Sequence, residues 1–186
     1  MKYLIVGLGN IGPEYLLTRH NVGFMALDRL ANEFETKFSM ERLAYHTEIK
    51  HKGKIIHLVK PTTFMNLSGK AVNYWMKELK IEKENVLIVT DDIALPYGKL
   101  RMKPKGSHGG HNGLRNIQEI LGDSDYTRLR FGVGDDFGKG RQIDYVLGNF
   151  QGEQFEQLPE HLDKVSEMIL SFCLQGLDKT MNGYNQ

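Results

Sequence analysis

Two continuous apolar runs, YLIVGL (3–8) and NVLIVT (85–90), constrain the fold of this chain more than any other feature. Neither run alternates apolar with polar residues, so each is typical of a strand that is buried on both faces. Strands of this kind occur in parallel sheets that helices cover on both sides. The two runs therefore predict an α/β architecture with a sheet at its centre.

The segments around these runs alternate between strand and helix patterns. Residues 22–34 carry apolar side chains on one helical face, with Asn21 before them as a candidate N-cap. The other predicted elements are hairpin strands at 44–51 and 54–60, a helix at 67–80, a strand at 98–103, a helix at about 112–121, a strand at 128–134, a glycine-rich loop at 134–140 and a helix within 153–174. We expect one domain over residues 1–186 with a three-layer α/β/α fold around a mixed, mostly parallel twisted sheet.

The chain carries features of a protein of the reducing cytoplasm. Its single cysteine, Cys173, cannot form a disulfide within the chain. The apolar run at the start is shorter than a signal-peptide core, and no segment approaches the ~20 apolar residues of a membrane span. We expect a cytoplasmic protein that does not contact membranes.

Short polar clusters stand where the predicted strands and helices end. They are GLGNIGPEY (7–15), TRHNVG (18–23), PTTFMNLSG (61–69) and GSHGGHNG (106–113). Asparagine amides both donate and accept hydrogen bonds, and histidine exchanges protons near neutral pH. The clusters therefore indicate a site that orients a polar, uncharged ligand and moves protons.

The sequence GLGNIG also fits the G-x-G-x-x-G pattern of dinucleotide sites. In such a site the helix begins inside the glycine motif, so that its N-terminus holds the pyrophosphate. Here Pro13 falls within the first turns and the next helix pattern starts near residue 21, so a nucleotide-dependent oxidoreductase is a weak alternative. A tight loop that presents Asn10 explains the glycines better, and a purely structural glycine turn stays open.

His20 and Asp91 are the candidate catalytic pair. His20 follows the loop that leaves the first strand, and Asp91 ends another buried strand, so both can reach the same edge of the sheet. An aspartate bonded to one imidazole nitrogen leaves the other nitrogen free as a base, and without a G-x-S-x-G motif or a usable cysteine that base activates water. A hydrogen-bonded loop histidine without a catalytic role is the alternative. No metal is expected, because the other histidines lack ligand spacing.

The formal net charge is only +1, yet cations are concentrated in one stretch. Residues 99–118 contain no acidic side chain and five cationic ones, which are Lys99, Arg101, Lys103, Lys105 and Arg115. A basic stripe on a near-neutral protein is typical of contact with a polyanion at one place. A solvated loop balanced by acidic residues elsewhere is the alternative interpretation.

These clusters, in this order, resemble the bacterial peptidyl-tRNA hydrolase family over essentially the whole chain. The motifs that carry the resemblance are GLGNIGPEY, TRHNVG, PTTFMNLSG, DDIALPYG (91–98), GSHGGHNGL (106–114) and RLRFGVG (128–134). Several independent motifs in a fixed order are far more specific than any one of them. The resemblance implies a monomeric α/β/α hydrolase without a cofactor or an obligate protein partner, which cleaves the ester between a peptide and the 3′ ribose of tRNA.

The resemblance also implies roles for individual residues. His20 would be the general base and Asp91 its partner, with Asn10 beside them in the cleft. The residues that would contact the substrate are Tyr15, Phe64, Met65, Asn66, His111 and Asn112. The cations that would contact tRNA phosphates are Arg101, Lys103, Lys105 and Arg130.

One position departs from the family pattern. The family often has D-D-L-D-L-P, whereas this chain has Ala94 in place of the third aspartate. This change puts in doubt any role for a carboxylate at that position and leaves the His20 and Asp91 pair untouched. The second hypothesis is a non-catalytic RNA-binding relative of the same fold; such a protein should have lost the base or the asparagines, and this chain retains both.

Overall fold

A computed structural model describes residues 1–185 of the chain. The strands are β1 (Lys2–Gly7), β2 (Ser39–Glu41), β3 (Ala44–His51), β4 (Lys54–Pro61), β5 (Val86–Asp92), β6 (Leu100–Lys103) and β7 (Thr127–Gly132). The helices are α1 (Val22–Glu33), α2 (Ser68–Leu79), α3 (Asn112–Leu121), α4 (Gln142–Val146), α5 (Gly152–Gln175) and α6 (Leu177–Tyr184).

The strands form one mixed sheet in the order β2-β3-β4-β1-β5-β7-β6. Its four central strands, β4, β1, β5 and β7, are parallel, while β2, β3 and β6 pair in antiparallel fashion at the edges. The two apolar runs of the sequence become β1 and β5, which lie side by side at the centre. The prediction of a mixed sheet with a parallel core is confirmed.

Helices cover both faces of the sheet, as predicted for three layers. Alternate residues of β1 point to opposite faces, so Ile5 packs in the cluster with α1 and α5, whereas Leu4 and Val6 pack in the cluster with α2 and α3. All three side chains are fully buried. Burial on both faces is the reason that these strands show no polar alternation in the sequence.

Some elements were not predicted. The short strand β2 and the helices α4 and α6 are absent from the sequence interpretation, because each is short and has a weak apolar pattern. After α6, the Asn185 amide exchanges two hydrogen bonds with the main chain of Met102, which covers the edge strand β6. No helix within residues 1–185 is both long enough and apolar enough to cross a membrane.

Asn21 occupies the N-cap position of α1, as predicted, but its side chain does not make the capping hydrogen bond expected there. Instead its Oδ1 accepts from the Asn10 N–H and its Nδ2 donates to the Asn10 carbonyl, both at 2.8 Å. The main chain of buried Asn10 would otherwise lack partners, and that requirement outweighs capping of the helix.

Two glycines allow the start of α1 to lie directly against the end of β1. A Cβ atom on Gly7 would lie 2.2 Å from the Gly23 carbonyl oxygen, and one on Gly23 would lie 2.5 Å from the Leu8 nitrogen. Backbone therefore contacts backbone at this crossing. The crossing brings the turn that contains His20 over the carboxyl edge of the sheet.

A histidine pair joins the β3–β4 hairpin to α2. Nε2 of His46 shares a hydrogen bond of 2.9 Å with Nδ1 of His57, and Nδ1 of His46 bonds the Glu41 carboxylate at 2.8 Å. The His46 ring also stacks on Trp75, with ring centroids 4.7 Å apart. Only one proton fits between the two imidazoles. Burial, with the charge of His46 as a lesser cause, lowers the pKa of His57 below its ordinary value of 6.5.

Because His57 belongs to this pair, we predict that the free energy of unfolding falls in mild acid. His57 is held neutral in the fold and binds protons more readily in the unfolded chain, so its contribution is complete above pH 6.5 and declines as the pH falls below it. We expect His57→Gln to reduce the loss in free energy of unfolding between pH 7 and pH 5, measured by urea denaturation. An unchanged loss in the folded variant would contradict this assignment.

Candidate active site

A buried carboxylate at the end of β5 lies between two imidazole rings. Asp91 Oδ2 is 2.8 Å from Nδ1 of His20, and its Oδ1 is 2.8 Å from Nε2 of His111. The Asp91 side chain is 2% exposed, and the two histidine side chains are 12% and 10% exposed. The chain thus brings together His20 and Asp91, as predicted, and adds His111 as a second partner of the carboxylate.

The hydrogen bonds of His111 determine its tautomer. Its Nδ1 accepts from the N–H groups of Gly113 and Leu114 at 3.1 and 3.3 Å and so caps the N-terminus of α3. A nitrogen that accepts carries no proton, so the proton of the neutral ring is on Nε2 and is donated to Asp91. Both nitrogens of His111 are therefore engaged by the protein.

Asp91 likewise determines the orientation of His20. The carboxylate accepts the proton on Nδ1, which leaves Nε2 of His20 without a proton and able to act as a base. Burial lowers the pKa of His20, but the charge of Asp91 and its hydrogen bond outweigh burial and raise that pKa above the ordinary value. The result is a neutral imidazole whose protonated form is stabilised by a fixed anion.

Asp91 stays ionised in spite of its burial. Burial alone raises the pKa of this carboxyl, yet the facing rings of His20 and His111 and their hydrogen bonds hold it well below its usual range. The ligand atoms of these three residues lie within 4.8 Å of one another, a donor set of the kind that binds zinc. A metal ion there would have to replace both hydrogen bonds of the carboxylate.

Asn10 connects this group to the polar cluster PTTFMNLSG (61–69) of the sequence. Its Oδ1 accepts the Met65 N–H at 2.7 Å. Because that bond occupies the oxygen, the NH₂ of the amide is the group of this side chain that can donate to molecules in the adjoining cavity. The sequence places Asn10 and Met65 far apart, and this bond holds their two loops together.

The loop before α2 carries a strained residue. Phe64 has φ 62° and ψ 162°, a conformation that glycine adopts readily and other residues rarely. The Phe64 side chain is 48% exposed, whereas the next residue, Met65, is 4% exposed and packs in the core. The strained turn sends Met65 inward beside Asn10 and leaves Asn66 at the mouth of the cavity.

These residues border a cavity of about 520 Å³. Among the predicted site residues, those that line it are Asn10, His20, Met65, Asn66, Asp91, His111, Asn112 and Arg130. Tyr15 and Phe64 are not in its lining; Tyr15 belongs to a short 3-10 turn, and the Phe64 ring is exposed next to the cavity wall. The sequence therefore identifies most of the polar wall.

Another part of the cavity lining was missed by sequence reasoning. It comes from α4 and the residue after it, which supply Gln142, Ile143, Val146 and Leu147. Ile143 and Leu147 are 66% and 38% exposed, so apolar side chains face the opening. The spacing of Ile143, Val146 and Leu147 is helical, but five residues are too few for a periodic signal to stand out.

Three of the predicted phosphate-binding cations, Arg101, Lys103 and Arg130, share one face of the β6–β7 pair, and Lys105 follows the end of β6. Arg101 lies opposite Arg130 and Lys103 lies opposite Arg128 in the antiparallel register, while the buried residues Leu100 and Met102 point to the other face. Lys103 and Lys105 are exposed. Arg130 is set deeper, at the cavity, where its Nη1 pairs with Asp92 Oδ2 at 2.9 Å.

Ala94 also lines the cavity, and its N–H donates to Asp92 Oδ1 at 2.8 Å. The residue that departs from the family pattern thus stands at the site itself. Here the cavity wall is uncharged beside the Asp92–Arg130 ion pair.

Comparison with known proteins agrees with this architecture. The family model for peptidyl-tRNA hydrolase matches residues 4–186. The peptidyl-tRNA hydrolases of Cytophaga hutchinsonii and Bacteroides fragilis are 55% and 56% identical to the chain; the first match covers 100% of this chain and 98% of that relative, the second 100% of both.

Solved structures give the same result at lower identity. The crystal structure of peptidyl-tRNA hydrolase from Acinetobacter baumannii superimposes with a TM-score of 0.92 at 32% identity, covering 98% of this chain and 94% of that one. Identity above one half over the full length, together with a shared fold, leaves one assignment: this chain belongs to the peptidyl-tRNA hydrolase family.

Proposed function

We propose that this chain hydrolyses the ester that joins a peptide to the 3′ ribose of tRNA. The observation that carries the proposal is the arrangement of His20, whose Nδ1 is held by Asp91 while its Nε2 serves as a base at the cavity. The names of the relatives specify the same reaction. A non-catalytic RNA-binding relative is not favoured, because the base and the three asparagines are all present.

In the proposed reaction His20 acts on water. Nε2 takes one proton from a water molecule, and the oxygen of that water attacks the carbonyl carbon of the ester. The tetrahedral intermediate collapses with cleavage of the bond to the ribose oxygen, which takes the proton back from the imidazolium. The Asp91 charge stabilises that imidazolium, and His111 keeps the carboxylate in place.

The amides supply the polar contacts of the proposed site. With its oxygen bonded to Met65, Asn10 can donate to the substrate carbonyl or to the developing oxyanion. We assign Asn66 and Asn112, which are exposed at the mouth of the cavity, to the peptide main chain and the terminal ribose. Amides read these groups without selecting side chains, so many peptide sequences fit.

Aromatic and cationic residues extend the proposed site toward the tRNA. Exposed Phe64 is suited to stack on the terminal nucleotide, and we retain Tyr15 and Met65 as substrate contacts. We assign Arg101, Lys103 and Lys105 to tRNA phosphates. Arg130 lies on the same face, and its pairing with Asp92 reduces the charge that it presents.

We further propose that the protein acts as a monomer in the cytoplasm and that residues 1–186 function as one domain. The free, buried thiol of Cys173 supports a reducing compartment. The decisive experiment for the activity is incubation with N-acetyl-aminoacyl-tRNA and with free aminoacyl-tRNA, followed by measurement of the tRNA released from each. No release from the blocked substrate would refute the proposal.

The base can be tested by substitution and pH. His20→Ala should lower turnover on the order of 10²-fold or more with little change in substrate affinity. Asp91→Asn should lower turnover less and move the acidic limb of the pH–rate profile to lower pH, because the charge that raises the pKa of His20 is removed.

Asp92 gives the matched control for this series. Asp92→Asn also removes a carboxylate from the cavity wall, where it pairs with Arg130, but leaves the hydrogen bond between Asp91 and His20 intact. Near-normal turnover of folded His20→Ala, or a shift of the acidic limb from Asp92→Asn and none from Asp91→Asn, would contradict the assignment.

The tRNA face can be tested by salt dependence. Lys103→Ala should raise KM for full-length peptidyl-tRNA and reduce the slope of log KM against log salt by about 1, because one phosphate contact is lost. A substrate that carries only the terminal nucleotides should be unaffected. The control is Lys50→Ala, because Lys50 is exposed on β3, four strands away from the β6–β7 pair toward the opposite edge of the sheet. Equal losses on both substrates would place Lys103 in folding or chemistry.

Asn10 can be tested for its part in selectivity. Asn10→Asp keeps the acceptor for the Met65 N–H and replaces the NH₂ donor by a carboxylate oxygen. A blocked substrate offers an amide that asparagine can orient, whereas a free aminoacyl ester carries an ammonium group. We expect the ratio of activities on N-acetyl-aminoacyl-tRNA and aminoacyl-tRNA to narrow, chiefly by loss on the blocked substrate. If the ratio stays constant, Asn10 does not contribute to discrimination.

A further inference from the structure

Arg19, the residue before the proposed base, joins two parts of the chain that border the cavity. Its guanidinium lies over the Tyr145 ring at 4.2 Å from the centroid, and its Nη1 donates to the Tyr145 carbonyl at 3.1 Å. Its Nη2 donates to Gln154 Oε1 at 3.4 Å. One side chain therefore contacts both the ring and the main chain of α4 and reaches the first turn of α5.

The main chain around Arg19 strengthens this connection. The Arg19 N–H donates to the Gly148 carbonyl at 3.0 Å, and the Phe150 N–H donates to the Leu17 carbonyl at 3.0 Å. Thr18 and Asn149 form an antiparallel bridge between these two bonds. The segment that ends α4 is thus aligned directly with the residues that lead to His20.

The other tertiary contacts of the helix held in this way also run through Tyr145, whose ring packs against the hydrophobic core and lies 5.2 Å from the ring of Phe137. α4 has no buried residue, and the exposed side chains of Ile143 and of Leu147, the residue after the helix, line the cavity. The Tyr145 hydroxyl donates to the Val133 carbonyl at 2.6 Å. A helix of five residues is not stable in isolation, so its position depends on these contacts.

We propose that Arg19 is a positioning residue that docks α4 against the His20 turn and so builds the apolar wall of the cavity. Ile143, Val146 and Leu147 line the same cavity as the asparagines of its polar wall. The peptide part of the substrate binds between the two walls. Arg19 acts on substrate binding and not on proton transfer, since its contacts are to α4 and α5 and none is to the imidazole of His20. This inference rests on the proposed hydrolysis of peptidyl-tRNA.

The experiment compares kinetic constants for Arg19→Met, Arg19→Lys and the unchanged protein on peptidyl-tRNA. Methionine keeps apolar volume but loses the charge, the donors and the contact with the ring, so KM should rise about tenfold while kcat stays within about threefold. Lysine keeps the charge without the planar fork, so its KM should lie between the two. The pH–rate profile should be unchanged, because Asp91 still holds His20.

Arg29→Gln is the matched control. Arg29 pairs with Asp163 between α1 and α5 at 2.6 Å, also joining two helices through an arginine, but outside the cavity lining. The KM of Arg29→Gln for peptidyl-tRNA should equal that of the unchanged protein. If Arg19→Met matches this control in both constants, the positioning role is refuted.

A second variant disturbs the same contact without removing a charge. A Cβ atom on Gly148 would lie 3.0 Å from Arg19 Nη1 and 3.2 Å from the Tyr145 carbonyl oxygen, so Gly148→Ala should displace α4 and raise KM. Hydrogen–deuterium exchange gives a readout apart from activity. The amides of Tyr145, Leu147 and Gly148 should exchange faster in Arg19→Met, with no change at β1 and β5.

The outcomes separate this inference from the proposed function. If neither the unchanged protein nor Arg29→Gln releases tRNA, the proposed activity fails, and faster exchange in α4 of Arg19→Met still decides the structural role. If both are active and exchange in α4 is unchanged, the inference alone fails. A fall in kcat with an altered pH profile would show that Arg19 acts through His20 and would overturn the role stated here.

Discussion

The carboxylate of Asp91, buried at the end of β5 and bonded by an imidazole on each side, is the interaction on which the site depends. An unpaired charge in this position would be strongly destabilising, so the fold must provide donors for both oxygens. One donor comes from the turn before α1 and the other from the turn before α3. The same carboxylate therefore joins the two helical layers above the edge of the sheet.

The remaining contacts extend this arrangement through side chains that bond main chain. Asn21 holds both polar groups of the Asn10 backbone, the Asn10 side chain holds the Met65 amide, and the ring of His111 caps α3. The bonds made by Asn21 and Asn10 link separate segments, whereas the bonds of His111 to α3 are local, and all of them satisfy main-chain groups that lack a partner in regular structure. Several hydrogen bonds therefore hold the polar wall, whereas the apolar wall on α4 depends on the contacts of Arg19 and Tyr145.

The comparison with sequence-based expectations shows where local signals were sufficient. The uninterrupted apolar runs of β1 and β5 were recognisable because strands buried on both faces leave a pattern that needs no tertiary information. The polar clusters were recognisable because each ends such an element. By contrast, α4 was missed because five residues carry too little periodicity. Asn21 does stand at the N-cap position of α1, but the partner of its side chain, the Asn10 main chain, is specified only when the loops meet.

The sequence by itself determined the α/β class, the central strands, the pairing of His20 with Asp91 and, through its ordered motifs, the family. Those features depend on local composition and on the rule that parallel strands end at one edge. Only the tertiary structure decided that both ring nitrogens of His111 form hydrogen bonds within the protein, that Arg130 pairs with Asp92 at the cavity and that Arg19 contacts α4. Hydrogen-bond partners of this kind are chosen by three-dimensional proximity, which spacing along the chain does not encode.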